Sequence, residues 1–384
     1  MRARARMPLG RASLLGAAAL IATVLPSPPA AGQTKPPAYT DKMNLLTYVD
    51  ATGTPRAVRS AEDWQVRRGH ILASMQLVMG TLPDVTRKVP PAVKTLEEVH
   101  LPKVTRRKIT FAVEKGDRVG AYLLIPRDAK GKAPAVLCLH QTALVGKAEP
   151  AGVGGQARRP YALELARRGY VALTPDYPSL GEYKIDPYKL GYVSCTMKGI
   201  WNHMRAVDLL ASLPQVDGGR IGCLGHSLGG HNSLFVAAFD ARIKAVVTSC
   251  GFNRFAKYYG GDLTGWAGFR YMPRIATVYA KDPAKMPFDF TEVLAALAPR
   301  AVFVNAPLND TNFEVSGVRD CVAAAAPVYK LLGAADNLVA VYPDAGHDFP
   351  PKVRQAAYEF LDRALRSRTG DATKRPASGA EASP

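Results

Sequence analysis

The chain lacks the features that mark metal-cluster proteins and membrane-spanning proteins. Its 384 residues include only five cysteines, with no Cys-x-x-Cys pair and no His/Cys cluster of the kind that holds zinc. No apolar run reaches the roughly 20 residues that a helix needs to cross a bilayer. The sequence therefore predicts no metal centre and no stable membrane insertion.

Dense basic runs with interleaved aromatic residues are also missing, although the formal net charge is +18. A nucleic-acid-binding surface gathers its Lys and Arg side chains on one face or along one helix. Here they are scattered, so we expect no nucleic-acid partner. A basic, solvated surface is the favoured interpretation, and affinity for anionic glycans is a secondary hypothesis.

The few cysteines favour a core role over a disulfide framework. Cys138 and Cys223 fall inside predicted strands and Cys250 ends another, which is typical of buried thiols. Cys195 and Cys321 could form one bridge, but the sequence does not decide the pairing.

The first 32 residues have the layout of a cleaved signal peptide. Four arginines precede an apolar segment at 14–25, and residues 26–32 end in small side chains. The arginines are not adjacent, which disfavours a twin-arginine route, and no cysteine is present for lipidation. Removal of this segment leaves a net charge of +14. The sequence predicts a soluble protein that is secreted or periplasmic.

Residues 33–103 are predicted to form a linker and a helical extension. The stretch 33–59 is rich in Pro, Thr and Ala, whereas Ser60–Met79 has apolar residues at helical spacing and is followed by Gly80. We expect this helix to pack on the following domain, and partner docking is the alternative. Residues 367–384 are polar and small, and are predicted to be disordered.

From residue 104 onward, short apolar strands alternate with helices, a pattern that requires a mostly parallel sheet. A hairpin is predicted at 108–113 and 119–125. Further strands are predicted at 135–139, 170–174, 221–224, 243–248, 301–305 and 338–342, and helices at 161–168, 196–213, 232–239, 289–297, 314–332 (broken near Pro327) and 352–365.

The run Gly225-His-Ser-Leu-Gly229-Gly230 follows an apolar strand and precedes a helix, which is the pattern of a nucleophile elbow. Gly225 and Gly229 leave room for a sharp turn that presents Ser227. The backbone N–H of Leu228, at the positive end of the new helix, would face the oxygen of a reacting carbonyl group. A glycine-rich turn without chemistry is the alternative.

Gly225–Gly230, followed by an acid and then a histidine, resembles the α/β-hydrolase superfamily over about residues 104–366. The resemblance is to the dienelactone-hydrolase and acetyl-xylan-esterase-like branch, with Ser227 in place of the cysteine of dienelactone hydrolases. It implies an α/β fold with a mostly parallel eight-stranded sheet flanked by helices, preceded by the helical extension. It also implies a cap insertion after strand 6, at 251–286.

The superfamily places its base after the last strand, where His347 lies in Asp-Ala-Gly-His-Asp. Asp310 follows the seventh predicted strand and is the preferred acid. Glu314 is assigned to a helix start, and Asp344 and Asp348 lie too close to His347 in one loop. The other histidines are poorer bases, since His226 and His231 are expected to point away from Ser227. A neutral imidazole held by a carboxylate is what activates a serine hydroxyl.

The resemblance also predicts the surroundings of the serine. The second oxyanion donor is expected after the strand at 135–139, from the backbone N–H of Gln141 or Thr142. His140 is a candidate substrate contact, with a structural histidine as the alternative. The cap is expected to line the pocket, to fill its own small core, or both, and its candidate substrate contacts are Tyr258, Tyr259, Trp266 and Arg270.

These features predict a serine carboxylesterase that acts on small or glycan-attached acyl esters and needs no metal or organic cofactor. A prolyl-oligopeptidase-like peptidase is the alternative, disfavoured because about seventy residues before the sheet cannot form a β-propeller. A non-catalytic binding protein on a hydrolase scaffold is a third hypothesis. The sequence leaves open the physiological ester, the oligomeric state, and whether Arg254, Arg270 and Arg274 bind substrate or brace the cap.

Overall fold

A nine-stranded, mostly parallel sheet runs through the structure, a computed structural model that describes residues 35–128, 130–154 and 158–366. The predicted signal peptide at 1–32 and the predicted disordered tail at 367–384 lie outside the described residues. From Pro36 onward, the described residues form one structural unit.

The strands pair in the spatial order β11-β10-β9-β8-β6-β7-β5-β4-β3. The six from β11 to β7 are mutually parallel, and β5, β4 and β3 continue the sheet in antiparallel pairing. Their bounds are β3 Lys94–Leu101, β4 Val104–Glu114, β5 Asp117–Pro126, β6 Ala133–Leu139, β7 Val171–Pro175, β8 Val216–His226, β9 Ile243–Ser249, β10 Ala301–Asn305 and β11 Leu338–Val341. A separate hairpin is formed by β1 Thr47–Val49 and β2 Pro55–Ala57.

Helices cover both faces of the sheet. One face packs against α1, α3, α4, α6 and α7, and the other packs against α2 and α8. Within the described residues the helices are α1 Ala61–Met79, α2 Tyr161–Arg167, α3 Cys195–Ser212, α4 Leu228–Phe239, α5 Arg274–Thr277, α6 Phe290–Ala295, α7 Val315–Leu331 and α8 Pro351–Arg366.

Burial on both faces explains why the central strand β6 is apolar at every position. All seven residues of β6 are buried, with Leu137 in the cluster beneath α3 and α4, and Val136 and Cys138 in the cluster beneath α2 and α8. This arrangement confirms the predicted α/β-hydrolase fold.

The predicted strand count of eight was one too low, because β3 lies within the region assigned to the extension. Three of its eight residues are charged and most of its side chains are exposed, as is common for an edge strand that must not recruit other chains. The β1/β2 hairpin lies in the region predicted as a linker. Its strands are three residues long, too short to show an alternating pattern.

Helix α1 begins where the sequence predicts it. The Ser60 hydroxyl accepts a hydrogen bond from the Asp63 N–H and the Asp63 carboxylate accepts one from the Ser60 N–H, which satisfies two of the free N–H groups at a helix start. Arg67 is fully buried and pairs with Glu292 of α6 at 2.5 Å. Arg68 donates to the main-chain carbonyl of Ala296. These contacts fix α1 against α6.

Helix α7 continues through Pro327, where the sequence predicted a break. All five cysteines are buried and free, so Cys195 and Cys321 form no bridge. Within the described part of the chain, no helix combines the length and apolar character needed to cross a membrane.

Candidate active site

Ser227 occupies a strained turn between β8 and α4. Its backbone angles are φ 55° and ψ −117°, in a region that side-chain-bearing residues rarely adopt. Its N–H donates to the Ser249 carbonyl at 2.8 Å, and α4 begins at the next residue. The turn therefore presents the serine at the carboxyl end of the parallel strands, as in a nucleophile elbow.

The glycines around Ser227 are required by close approach of the main chain. A Cβ atom on Gly225 would lie 2.1 Å from the Gly229 carbonyl oxygen, and one on Gly229 would lie 1.9 Å from that of Leu139. Neither position can hold a side chain without moving the backbone. The close main-chain packing that the Gly225-His-Ser-Leu-Gly229 run predicts around Ser227 is therefore present.

Ser227, His347 and Asp310 form one chain of hydrogen bonds. The serine Oγ lies 2.9 Å from His347 Nε2, and His347 Nδ1 lies 3.0 Å from each carboxylate oxygen of Asp310. A carboxylate only accepts hydrogen bonds, so Nδ1 carries the proton and Nε2 is free to accept that of the serine. The structure thus brings the three predicted residues together in the order that proton transfer requires.

The surroundings of Asp310 favour its charged form. Its side chain is 1% exposed, whereas that of His347 is 28% exposed. Burial alone would raise the pKa of Asp310. The hydrogen bond from His347, the electrostatic effect of His347, and the bonds from the N–H groups of Phe313 and Asn312 together lower this pKa below its usual value. The carboxylate is therefore ionised at neutral pH and can orient the imidazole.

The other acids near His347 have different partners. Asp348 pairs with Arg159 at 3.0 Å, and Asp344 accepts a bond from the Asn309 side-chain amide at 2.7 Å. Glu314 precedes the first residue of α7 and accepts a bond from the hydroxyl of Ser316. None of these three makes a described hydrogen bond to His347.

His226 and His231 lie closer to the site than the sequence predicted. The His226 ring centroid is 5.1 Å from that of His347, and its Nδ1 is 3.0 Å from Ser249 Oγ. Burial holds the pKa of His226 well below its usual value, which keeps it uncharged beside the base. His231 lines the cavity next to Ser227, so the expectation that it points away was wrong.

The candidate oxyanion donors lie at the same end of the sheet. Leu228 is the first residue of α4, and Gln141 and Thr142 follow β6, whose Leu139 pairs with Gly225 of β8. Thr142 lines the cavity, and its hydroxyl lies 3.0 Å from that of Tyr271. The Gln141 side-chain amide donates to Glu149. The choice between Gln141 and Thr142 as second donor stays a prediction.

A cavity of about 280 Å³ opens beside the serine, and four of its ten lining residues are Tyr, Trp or Phe. Of the five predicted substrate contacts, Tyr258 and Trp266 line it. Its other lining residues are Thr142, Ser227, Leu228, His231, Gly265, Tyr271, Asn312 and Phe313. A larger groove of about 400 Å³ begins near Ala133, at the opposite end of β6, and no member of the hydrogen-bonded chain borders it.

Three predicted substrate contacts do not line this cavity. His140 is buried, with Nδ1 2.7 Å from the Gln141 carbonyl and Nε2 accepting from the Tyr177 N–H at 2.9 Å. Both of its ring nitrogens therefore form hydrogen bonds with main-chain atoms, which agrees with the alternative prediction that His140 is a structural histidine. Tyr259 is 62% exposed and its hydroxyl donates a hydrogen bond to the Asn312 side chain, and Arg270 is exposed.

The cap at 251–286 both fills its own core and lines the cavity. It consists of the 3₁₀ segments Phe255–Gly261 and Leu263–Ala267 and of helix α5. Arg254 pairs with Asp320 at 3.6 Å, and Arg274 donates to the Leu77 carbonyl at 2.9 Å. These two arginines brace the cap.

Residues 269–271 of the cap are fixed through their main-chain carbonyls. The hydroxyls of Tyr188 and Tyr177 donate to the carbonyls of Phe269 and Arg270 at 2.6 and 2.9 Å. The N–H of Thr196 donates to the carbonyl of Tyr271 at 3.3 Å. The cavity wall carrying Tyr271 is thus tied to α3 and to the chain before it.

Several residues that line the cavity were not predicted from the sequence, although the positions of some of them in the chain could have indicated it. His231 lies four residues after Ser227, one helical turn along α4, which returns a side chain to the same face. Asn312 and Phe313 follow Asp310 in the same loop. Tyr271 lies in the predicted cap, but the cap has no periodicity that separates inward from outward positions.

Comparison with known proteins shows similarity to an esterase family. The family model for acetyl xylan esterase (AXE1) matches residues 82–258, a stretch that contains Ser227 and ends before Asp310 and His347. The protein YtaP of Bacillus subtilis (strain 168) is 26% identical over 302 residues, which cover 75% of this chain and 96% of YtaP.

Solved structures of esterases share the fold. A glucuronoyl esterase from Solibacter usitatus is 21% identical with a TM-score of 0.65, covering 85% of this chain and 98% of that one. A carbohydrate esterase family 15 glucuronoyl esterase from Caldicellulosiruptor kristjansonii is 20% identical with a TM-score of 0.62, covering 84% and 90%.

The fold is that of the α/β hydrolases. Within it, the family match supports the predicted acetyl-xylan-esterase-like branch, and with it the predicted enzyme class, a serine carboxylesterase.

Proposed function

We propose that this chain is an exported serine esterase that hydrolyses carboxylic esters, including acyl groups carried on carbohydrates. Its nucleophile is Ser227, its base is His347 and its orienting acid is Asp310. The observation that carries the proposal is the unbroken hydrogen-bonded path from the Ser227 hydroxyl to the Asp310 carboxylate beside an aromatic cavity.

In the first half-reaction, Ser227 Oγ attacks the ester carbonyl carbon while His347 Nε2 takes the hydroxyl proton. The negative oxygen of the tetrahedral intermediate accepts hydrogen bonds from the N–H of Leu228 and from that of Gln141 or Thr142. His347 then returns its proton to the leaving alcohol, and an acyl-enzyme remains on the serine.

In the second half-reaction, His347 deprotonates a water molecule that attacks the acyl-enzyme, and the acid product leaves as Ser227 regains its proton. Asp310 stays ionised throughout, and holds the imidazole in the required tautomer. These groups complete the cycle without a metal ion or an organic cofactor.

The carbohydrate part of the proposal is supported by the acetyl xylan esterase match and by the cavity walls. Tyr258, Trp266 and Phe313 offer aromatic faces against which the C–H face of a sugar ring packs well. Export is supported by the arginine-rich start and apolar segment of residues 1–32.

Assays of the mature protein with acetylated sugars, 4-nitrophenyl esters and peptide anilides test this function. We expect ester turnover well above anilide turnover, and labelling of Ser227 by a fluorophosphonate probe. Ser227→Ala should abolish both turnover and labelling, and Ser316→Ala, at a serine outside the cavity, should keep both. Undiminished turnover by Ser227→Ala, or faster anilide cleavage, would contradict the proposal.

A further inference from the structure

Arg159 joins the loop after β6, residues 140–149, to the loop that carries His347. Its Nη1 donates to Glu149 Oε1 at 3.2 Å, and its Nε donates to Asp348 Oδ1 at 3.0 Å. Glu149 is the last residue of the first loop, and Asp348 directly follows the proposed base. One guanidinium group therefore bridges two loops that lie at the carboxyl end of the parallel strands.

Glu149 passes this bridge on to Gln141. The side-chain amide of Gln141 donates to Glu149 Oε2, the carboxylate oxygen that Arg159 does not contact. The Gln141 carbonyl oxygen accepts from His140 Nδ1 at 2.7 Å, because a carbonyl oxygen can only accept. Gln141, a candidate oxyanion donor, is thus held both at its side chain and at its main chain.

The other end of the bridge is attached to the sheet. The Asp348 carbonyl oxygen accepts from Asn305 Nδ2 at 2.9 Å and from Cys250 Sγ at 3.2 Å. Asn305 ends β10, and Cys250 follows the last residue of β9. The main chain next to His347 is therefore fixed without Arg159. The loop after β6 is the part whose position depends on the arginine.

Arg159 itself lies at a fixed point of the chain. It is two residues before Tyr161, the first residue of α2, whose hydroxyl donates to the Leu139 carbonyl at 2.6 Å. This bond attaches the start of α2 to the end of β6. The side chains of Arg159 and Glu149 are 17% and 13% exposed, so water screens their attraction less than that of a surface pair.

We propose that Arg159 is a positioning residue for ester hydrolysis. Through Glu149 it holds Gln141, and with it the main-chain N–H groups of the loop after β6, at the distance from Ser227 that stabilisation of the tetrahedral intermediate requires. A group displaced by about 1 Å loses much of its effect on the transition state. This inference rests on the proposed esterase function and adds a residue that acts through the loop.

Arg159→Met tests the bridge, and Arg168→Met is its matched control. Arg168 follows the last residue of α2, at the other end of the helix, and pairs with Asp362 at 2.7 Å. With 4-nitrophenyl acetate, Arg159→Met should lower kcat by about tenfold to a hundredfold and leave KM nearly unchanged, because the lost interaction acts in the transition state. Arg168→Met should keep both constants near their wild-type values.

A transition-state analogue provides a second measurement. A trifluoromethyl ketone adds to Ser227 as a tetrahedral adduct, so its inhibition constant should rise in Arg159→Met by about the factor that kcat/KM falls. Arg159→Lys should restore part of kcat, because an ammonium group can still donate to Glu149. Raised KM with unchanged kcat, or equal losses in Arg159→Met and Arg168→Met, would contradict the proposal.

A double variant tests whether Arg159 acts through Glu149. Glu149→Ala should lower kcat about as much as Arg159→Met, and the two changes together should cost no more than either alone. Additive losses would overturn the proposal. If Arg159→Met does not fold, Glu149→Ala decides alone, and wild-type kcat in that variant overturns the positioning role while the esterase function stands. Absence of ester turnover by the wild-type protein would overturn both proposals.

Discussion

The carbonyl oxygen of Leu139 occupies the space in which a side chain at Gly229 would begin, since a Cβ atom there would lie 1.9 Å away. Because Leu139 ends β6 and Gly229 lies in the first turn of α4, the strand and the helix are in backbone contact. The distance from Ser227 to the loop that carries Gln141 and Thr142 depends on this contact.

Gly229→Ala should therefore displace α4 and reduce ester turnover by at least a hundredfold, or prevent soluble expression, because the clash is with main chain that cannot rotate away. Gly69 lies within α1, and a Cβ atom added there would meet nothing within 4 Å. Gly69→Ala should keep full turnover and gain about 0.5–1 kcal/mol of stability. Steady-state kinetics and thermal unfolding of both variants check this, and normal activity in Gly229→Ala would refute it.

Asp310→Asn should lower kcat by roughly 10³–10⁴-fold, because an amide neither fixes the Nδ1–H tautomer of His347 nor stabilises its charge. The fold should persist, since the replacement is nearly the same size. Asp348→Asn, at the neighbouring acid that pairs with Arg159, should retain most of the activity. Ester kinetics with circular dichroism as the folding control separate the two. Comparable losses in both variants would speak against Asp310 as the acid.

Acid should destabilise the protein below about pH 6.5. His140, His203, His226 and His231 are buried, and desolvation lowers the pKa of each, to about 3 for His203 and His231. Between about pH 3 and pH 6.5 the unfolded chain binds more protons than the folded chain, so the free energy of unfolding falls as pH falls. Burial raises the pKa of Asp289 to about 6, which offsets part of this loss.

A single variant isolates one of these histidines. His203→Asn should lose less stability than the wild type between pH 7.5 and pH 5, by on the order of 1–2 kcal/mol. Urea unfolding at the two pH values provides the measurement. The same loss in both proteins would show that His203 is not held neutral.

Breaking the buried pair of Arg67 and Glu292 from one side should destabilise the protein by about 3–5 kcal/mol, because the remaining charge is buried without its partner. Arg67→Met should therefore be worse than the double variant Arg67→Met/Glu292→Met. Arg220 pairs with Asp217 on the surface, so Arg220→Met should cost no more than about 1 kcal/mol. Urea unfolding ranks the three, and additive losses in the double variant would contradict the coupling.

The sequence predicted the central sheet well, because the parallel strands are packed on both faces and each therefore contains a short run of mostly apolar residues. It predicted the positions of Ser227, Asp310 and His347 for a related reason. Each follows a strand of that sheet, and the carboxyl ends of neighbouring parallel strands meet at one edge. These three positions were sufficient to predict the order of the hydrogen bonds, from serine to histidine to aspartate.

The edge strand and the cavity wall were less predictable. β3 exposes most of its side chains, so its sequence has no apolar pattern from which a strand is inferred. The cap places Tyr258 in the cavity and its neighbour Tyr259 at the surface, and no local signal distinguishes them. The mistaken expectation for His231 arose from nearness in sequence to Ser227, whereas a full helical turn brings it back towards the cavity.

Three hydrogen bonds hold residues 269–271 in place, one from Thr196 of α3 and two from Tyr177 and Tyr188 before it, and together they anchor one wall of the cavity. Because this wall is anchored through its main-chain carbonyls, we expect the opening to keep its shape when a ligand binds. A ligand would then be selected by whether it fits between these rings, and an ester group on a bulky polymer would have to project from the polymer to reach Ser227.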